Sequence, residues 1–180
     1  MKHKIKKYAC LLIIFGGINI VIGNSQESNV KILTFKSADN LEITADWYSI
    51  SDSTAPIIIL YHQAGWSRGE YIEIAPKLNA MGFQCLAVDQ RSGGEVNSII
   101  NQTNSRALLA GLSTNYLDAL PDLTAALDFI HKMYPENKII LWGSSYSSSL
   151  TLKVAGDNQK FVSGVLAFSP GEYFERFGES

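Results

Sequence analysis

The residues most able to do chemistry lie in the short run around Ser145. An apolar, strand-like segment at 139–142 stops at Gly143, Ser145 follows two residues later, and a helix-compatible segment at 150–155 comes next. A strand, a sharp turn with a serine at its apex and a helix form the layout of a nucleophile elbow. Such a turn holds the serine oxygen clear of the backbone and directs the N–H of the next residue, Tyr146, to the place where an oxyanion would form. The spacing therefore predicts Ser145 as a nucleophile.

The pattern G-x-S-x-S departs at one position from the G-x-S-x-G of a nucleophile elbow. Ser147 stands where the last glycine is expected. Serine is small enough to pack between a strand and a helix, so the departure weakens the match without removing it.

A serine nucleophile needs a general base, and no histidine follows Ser145. In this architecture the chain order is Ser, then Asp or Glu, then His. The three histidines, His3, His62 and His131, all precede Ser145. The sequence thus predicts either a chain that stops before its triad is complete or a protein without this hydrolase chemistry.

Strand-like and helix-like segments alternate along the rest of the chain. Two β-type runs with turn residues between them predict a hairpin, and short, continuously apolar runs predict parallel strands covered on both faces. This order predicts an α/β fold, a mostly parallel sheet with right-handed crossovers and helices on both faces. A long polar stretch at 95–114 carries no predicted strand or helix. The predicted strands are 30–35, 41–48, 57–61, 83–88, 138–142 and 161–168, and the predicted helices are 70–81, 116–133 and 146–155.

Three loops follow predicted parallel strands, where folds of this class place their sites. They are residues 61–67, 89–94 and 143–147. In this order and at this spacing they resemble the front part of an α/β-hydrolase of the esterase and dienelactone-hydrolase-like branch. The resemblance runs from about residue 30 to the end of the chain. It implies an α/β-hydrolase fold that is truncated after about the sixth strand.

The resemblance implies a catalytic role for the residues that match the family pattern. Ser145 matches the nucleophile, and the N–H of Tyr146 matches one oxyanion donor. The second donor is the N–H of Ala64 or of Gln63, and the sequence does not choose between them. Two such donors matter because each stabilises the transition state by on the order of 3 kcal/mol.

Other matching residues are implied to support the site. His62 and Gly65 match residues that brace the loop at 61–67, which carries the expected second donor and is called the oxyanion loop below. Asp89 matches a position that organises the loop after the fourth strand together with Arg91. Glu172 follows the sixth strand and is a candidate for the triad acid, although more members place that acid after a seventh strand. The resemblance implies no metal and no organic cofactor.

Residues 1–23 resemble a secretory signal peptide, because four lysines precede an interrupted apolar run and a small residue, Gly23. We therefore expect an exported protein, periplasmic or secreted, with an α/β-hydrolase domain at 24–180 that is incomplete at its C-terminus. After cleavage we expect no stable membrane insertion. The alternative is an uncleaved N-terminal segment that anchors the protein in a membrane.

The composition of the chain limits the classes of molecule that it is expected to bind. The 180-residue chain is 46% hydrophobic, as expected for a globular domain, and carries a net charge of −2. Loss of the predicted signal peptide removes four lysines and no acidic residue, so the remaining domain is more acidic, which argues against nucleic-acid binding. Cys85 would then be the sole cysteine, which excludes an intramolecular disulfide, and its apolar surroundings predict a small buried hydrophobe.

These observations favour an exported serine hydrolase that cleaves small-molecule carboxylic esters through an acyl-enzyme on Ser145. The 180-residue chain alone is expected to be inactive, because it lacks the triad histidine. Two alternatives remain open. A non-catalytic binding domain would keep the fold without the chemistry, and a serine peptidase or acyltransferase would share the same elbow.

Overall fold

The structure, a computed structural model, describes residues 29–175; the predicted signal peptide lies outside these residues. The strands are β1 (Asn29–Lys36), β2 (Glu42–Ser49), β3 (Ile57–Tyr61), β4 (Gln84–Asp89), β5 (Glu95–Val96), β6 (Ile99–Ile100), β7 (Ile139–Ser144) and β8 (Val162–Phe168). The helices are α1 (Ala75–Ala80), α2 (Gln102–Leu109), α3 (Leu120–Met133) and α4 (Tyr146–Asp157), with 3₁₀ helices at Arg68–Tyr71 and Leu117–Ala119.

Six of the strands form one sheet in the order β1-β2-β4-β3-β7-β8, and β5 and β6 form a separate hairpin. The strands β1, β2 and β4 are antiparallel neighbours, whereas β4, β3, β7 and β8 run parallel. The chain passes from β3 to β4 on one side and later reaches β7 on the other side of β3. Ligand sites of open α/β sheets lie at such a reversal, outside the carboxyl ends of the strands.

Helices cover both faces of the sheet, as predicted. The larger core lies between the sheet and α2, α3 and α4, and includes Ile59, Leu86 and Leu127, all fully buried. The smaller core lies on the opposite face, where Tyr71 and Ala75 pack against the other face of β3 and β4. Burial of a leucine or isoleucine side chain in either core contributes about 1.5–3 kcal/mol to the free energy of folding. The mostly parallel α/β prediction is therefore confirmed.

The predicted helix at 70–81 is wrong in its first half. The 3₁₀ helix Arg68–Tyr71 comes first, and its first turn is capped because the Ser67 hydroxyl accepts the Gly69 N–H at 3.1 Å. The α-helix α1 begins only with the turn that contains Pro76. Proline has no N–H and suits the first turn of a helix, where N–H groups lack partners in any case.

The polar stretch at 95–114 contains a helix that the hydrophobic pattern did not predict. Helix α2 begins at Asn101, whose side-chain oxygen accepts the Asn104 N–H at 2.7 Å. It packs on β2, where the Thr44 N–H donates to Thr103 Oγ1 at 3.0 Å. Its buried residues are Thr103 and Ala107, whereas Leu108 and Leu109 are exposed, so no apolar stripe marks the buried face.

Strand β8 lies at the edge of the sheet and pairs on one side with β7. Its apolar side chains are only half-buried; Leu166 and Phe168 are 39% and 46% exposed. Across residues 29–175, the helices are too short or too polar to span a lipid bilayer.

Candidate active site

Ser145 lies at a sharp turn between β7 and α4. Its backbone angles, φ 56° and ψ −120°, belong to a region that residues with side chains rarely adopt. The turn is held because the Ser145 N–H donates to the Phe168 carbonyl at 2.9 Å. The Ser145 side chain forms no capping hydrogen bond with α4, so its half-buried hydroxyl is available at the carboxyl end of the sheet.

Gly143 lets β7 and α4 approach each other closely at the elbow. A Cβ at this position would lie 2.4 Å from the Ser148 Cα and 2.6 Å from the Ser147 carbonyl oxygen. Both contacts are with backbone, which cannot rotate away as a side chain does. The elbow therefore requires glycine at this position.

Ser147, which replaces the expected glycine, joins the elbow to the neighbouring strand. Its buried hydroxyl accepts the Ser144 N–H at 2.9 Å and donates to the Tyr61 carbonyl at 2.8 Å. The first bond closes the elbow, and the second links it to the carboxyl end of β3. The substitution thus adds contacts that glycine cannot make.

Tyr146 is the first residue of α4, so its N–H is one of the donors that a helix leaves without an internal partner. Its buried hydroxyl donates to the Ser92 carbonyl at 3.0 Å. Its ring stacks on Tyr116, with centroids 4.7 Å apart, and Tyr116 in turn meets Tyr173 edge-on at 5.3 Å. These contacts fix the residue whose N–H follows the nucleophile.

Gln63 and Ala64 follow β3, next to the elbow. The Gln63 N–H donates to Glu70 Oε2 at 2.8 Å, so it is already engaged. The Gln63 carbonyl accepts hydrogen bonds from His62 Nδ1 at 2.8 Å and from the Trp66 N–H at 3.3 Å. The Ala64 N–H belongs to the same planar peptide group and points away from that carbonyl. Within residues 29–175 it has no hydrogen-bond partner.

His62 is fully buried beneath this loop. Its Nε2 lies 3.1 Å from Asn101 Nδ2, which can only donate, so the ring proton resides on Nδ1 and is given to the Gln63 carbonyl. Burial lowers the pKa of His62 to about 4, and the ring is therefore neutral at physiological pH. Gly65, with φ 74°, supplies the left-handed turn that follows.

Buried ion pairs hold the two loops that flank the site. Arg68 Nε donates to Asp46 at 2.9 Å, and its Nη1 donates to Asp89 at 2.7 Å. Asp89 and Arg91 do not bond to each other, because Arg91 pairs with Asp122 on α3, also at 2.7 Å. Asp89 instead receives both the side chain and the backbone N–H of Arg68, which ties the end of β4 to the oxyanion loop.

Glu172, the candidate acid, is exposed in the loop after β8. Its Oε1 accepts the N–H groups of Phe174 and Glu175 at 2.7 and 3.0 Å. The carboxylate therefore caps the turn that follows it, and no described histidine lies against it.

The two histidines of the described region are both engaged away from Ser145. His62 bonds to the Gln63 carbonyl through Nδ1 and to Asn101, at the start of α2, through Nε2. The His131 ring packs on Phe161, just before β8, with centroids 4.1 Å apart. Residues 29–175 also contain no group of three His, Cys, Asp or Glu side chains arranged to hold a metal ion.

Ser145 thus lies on a strained turn between a strand and a helix, beside a loop that buried ion pairs hold in place. This arrangement on an α/β sheet is typical of serine hydrolases. Residues 52–174 match the hydrolase family described as serine aminopeptidase, S33. The chain belongs to this family. The matched residues run from just before β3 to the loop after β8, and so include the elbow and the oxyanion loop.

Individual relatives agree with this family and confirm the predicted α/β-hydrolase fold. Monoglyceride lipase of Mus musculus is 25% identical over 134 residues, which are 74% of this chain and 41% of that enzyme. A carboxyl esterase from Bacillus coagulans superposes with a TM-score of 0.60 at 20% identity, over 76% of this chain and 43% of that one. Dienelactone hydrolase from Anabaena variabilis gives 0.57 at 14% identity, over 77% and 62%. This chain thus spans less than two thirds of each relative.

Proposed function

We propose that this family member is a serine hydrolase of the esterase type, which cleaves small carboxylic esters through an acyl-enzyme on Ser145. The main support is the strained elbow at Ser145, which follows β7 next to the loop that follows β3 and carries the unpartnered N–H of Ala64. The similarity to a monoglyceride lipase and to a carboxyl esterase favours an ester over other acyl compounds.

In the proposed reaction the Ser145 oxygen attacks the ester carbonyl and gives its proton to a base. The carbonyl oxygen becomes an oxyanion that accepts hydrogen bonds from the N–H groups of Ala64 and Tyr146. The alcohol leaves with the proton, and water then releases the acid from Ser145 by the same steps. Of the two donors that the sequence allowed, Ala64 is preferred because the Gln63 N–H is bonded to Glu70.

The base is proposed to be a histidine from a longer form of the protein. The relatives named above extend well beyond the length that this chain spans, and the described histidines are engaged elsewhere. No metal or organic cofactor is needed for this mechanism. We also propose export through residues 1–23; N-terminal sequencing of the protein recovered from the source cells would find a start near residue 24.

A peptidase is the second candidate, because the matching family is described as a serine aminopeptidase. The same elbow and oxyanion hole serve esters and amides. Amino-acid p-nitroanilides and p-nitrophenyl esters, offered to the same preparation, separate the two functions. An alcohol that competes with water for the acyl group would reveal acyl transfer.

The experiment uses the protein translated from its intact gene and a short-chain p-nitrophenyl ester. We expect a burst of p-nitrophenol that equals the enzyme concentration, followed by slower turnover. Ser145→Ala should lose both phases, whereas Ser163→Ala, which alters an exposed serine on β8, should retain them. Hydrolysis by Ser145→Ala at the wild-type rate would exclude the proposed function. Tight ester binding without turnover by the wild type would favour a binding domain.

A further inference from the structure

Glu70 is a half-buried carboxylate that the proposed reaction does not use. It lies in the 3₁₀ helix Arg68–Tyr71, directly after the oxyanion loop. Burial raises its pKa, while hydrogen bonds from the Gln63 N–H and the Ser144 side chain favour its charged form. Removing a carboxylate from water without an arginine or lysine partner costs free energy, which hydrogen bonds to the carboxylate offset in part.

The carboxylate contacts one residue from each half of the proposed oxyanion hole. Its Oε2 accepts the N–H of Gln63 at 2.8 Å, and Gln63 immediately precedes Ala64. On the other side it interacts with the hydroxyl of Ser144, which immediately precedes the nucleophile. Gln63 lies two residues after the end of β3, and Ser144 is the last residue of the neighbouring strand β7. Glu70 therefore links the loop after β3 to the elbow after β7.

We propose that Glu70 is a positioning residue that fixes the separation between the Ala64 and Tyr146 N–H groups. The role rests on the proposed function, since it supposes that these two groups bind the oxyanion. Oxyanion donors act at 2.7–3.1 Å from the developing charge, and a misplacement of about 1 Å costs on the order of 100-fold in rate. The Ser147 hydroxyl already links the elbow to the Tyr61 carbonyl at the end of β3, and Glu70 adds a link between the elbow and the loop that carries Ala64.

The backbone that carries Glu70 is itself immobilised on both sides. Arg68, two positions before Glu70, is bonded to two buried carboxylates, Asp46 and Asp89. The following residue, Tyr71, is fully buried and donates its hydroxyl hydrogen to the Tyr61 carbonyl at 2.7 Å. Glu70 therefore extends from a fixed segment, and its contacts with Gln63 and Ser144 transmit that rigidity to the site.

The role depends on the acceptor oxygen and not on the negative charge. A charge near a developing oxyanion opposes it, so catalysis gains nothing from the charge itself. Glutamine keeps an oxygen for the Gln63 N–H and an amide for the Ser144 hydroxyl, whereas alanine loses both. A positioning role thus predicts that Glu70→Gln restores what Glu70→Ala removes.

The test compares Glu70→Ala, Glu70→Gln and the control Glu73→Ala, which removes an exposed carboxylate three residues along the chain. All are made in the protein from the intact gene and assayed on one ester. We expect Glu70→Ala to lower kcat by on the order of 10- to 100-fold with KM nearly unchanged. Glu70→Gln should stay within about threefold of the wild type, and Glu73→Ala should match it. A wild-type kcat in Glu70→Ala, or an equal loss in Glu70→Gln, would overturn the proposal.

Amide NMR provides a measurement that does not depend on turnover. The Gln63 N–H signal should shift and exchange faster with solvent in Glu70→Ala, and both effects should be absent in Glu73→Ala. If Ser145→Ala retains wild-type hydrolysis while the Gln63 amide still responds to Glu70→Ala, the esterase mechanism fails and the contact is only structural. If Ser145 is required and Glu70→Ala is fully active, the esterase proposal stands and the positioning role fails.

Discussion

The two sides of the Ser145 elbow are built very differently. On the β3 side, the loop from His62 to Glu70 is held by buried ion pairs, a buried neutral histidine and a bridging carboxylate. On the β8 side, the loop from Ser169 to Glu172 is exposed. Its contact with α4 is through Ser149, whose hydroxyl donates to the Gly171 carbonyl at 2.5 Å.

This difference matches the chemistry expected of each side. The β3 side carries Ala64, one of the two proposed N–H donors, which must be rigid before the substrate arrives because preorganised donors need no rearrangement during the reaction. On the β8 side, the carboxylate of Glu172 caps its own turn, and no described histidine lies against it. The proposed nucleophile and oxyanion donors therefore lie within residues 29–175, whereas the proposed base is a histidine that these residues do not include.

The largest effect should come from the buried charges of the β3 side. Arg68→Ala leaves Asp46 and Asp89 buried without their cation, which should lower the free energy of unfolding by about 3–5 kcal/mol. Lys153→Ala, which breaks the exposed pair with Asp157, should cost less than about 0.5 kcal/mol. Urea denaturation of both variants measures the difference. Equal, small losses would show that the β3 side is not held by its charges.

A second prediction compares packing on the two neighbouring strands β7 and β8. Leu141 is fully buried and Leu166 is 39% exposed. Leu141→Ala should destabilise the fold by about 2–5 kcal/mol, since it leaves a cavity in the larger core. Leu166→Ala should cost no more than about 1 kcal/mol. If both variants melt alike, β8 is covered in solution by something that the described residues do not include.

Ser147→Gly tests whether the hydroxyl of the serine in the elbow stabilises the fold. The change creates the G-x-S-x-G pattern but removes the hydroxyl that the Ser144 N–H donates to and that donates to the Tyr61 carbonyl, which keeps its second hydrogen bond from Tyr71. We expect a loss of about 1–3 kcal/mol in chemical denaturation. A variant that is as stable as the wild type would mean that the hydroxyl contacts add nothing to the elbow.

The smallest predicted effect is a change in pH dependence. The pKa of His62 is about 4 in the folded protein and 6.5 in the unfolded chain. Between pH 4 and pH 6.5 the unfolded chain therefore binds more protons than the folded protein. The stabilisation is present above pH 6.5 and decreases as the pH falls toward 4, by at most about 1.4 kcal/mol per pH unit. His62→Gln should remove this slope.

The comparison of slopes must be made between variants, because Asp122 acts in the opposite direction. Burial raises the pKa of Asp122 to about 6, which favours the fold at low pH. The difference between His62→Gln and the wild type cancels this contribution. An unchanged slope in His62→Gln would show that His62 is not held neutral.

The sheet and the elbow could be predicted from the sequence because their signals are local. Short apolar runs mark β3, β4 and β7, and the turn at Ser145 is set by small residues within a few positions. The helix α2 could not be predicted from periodicity, because its buried face is narrow. The Asn101 cap, three residues before Asn104, was the one local signal for it.

The support of the site could not be predicted because its partners are distant in sequence. Asn101 and His62 are 39 positions apart, and Arg91 and Asp122 are 31 apart. The choice between Gln63 and Ala64 depends on Glu70, a residue of a 3₁₀ helix where an α-helix was predicted. Only the folded chain brings such groups together.

The most direct test of the central claim is to locate the site of covalent labelling by a fluorophosphonate in the protein from its intact gene. The labelled peptide contains five serines at 144–149, so fragmentation in the mass spectrometer must place the adduct on a single residue. We predict that the phosphonate is on Ser145 and that Ser145→Ala is not labelled. An adduct on a neighbouring serine, or undiminished labelling of Ser145→Ala, would contradict the assignment of the nucleophile.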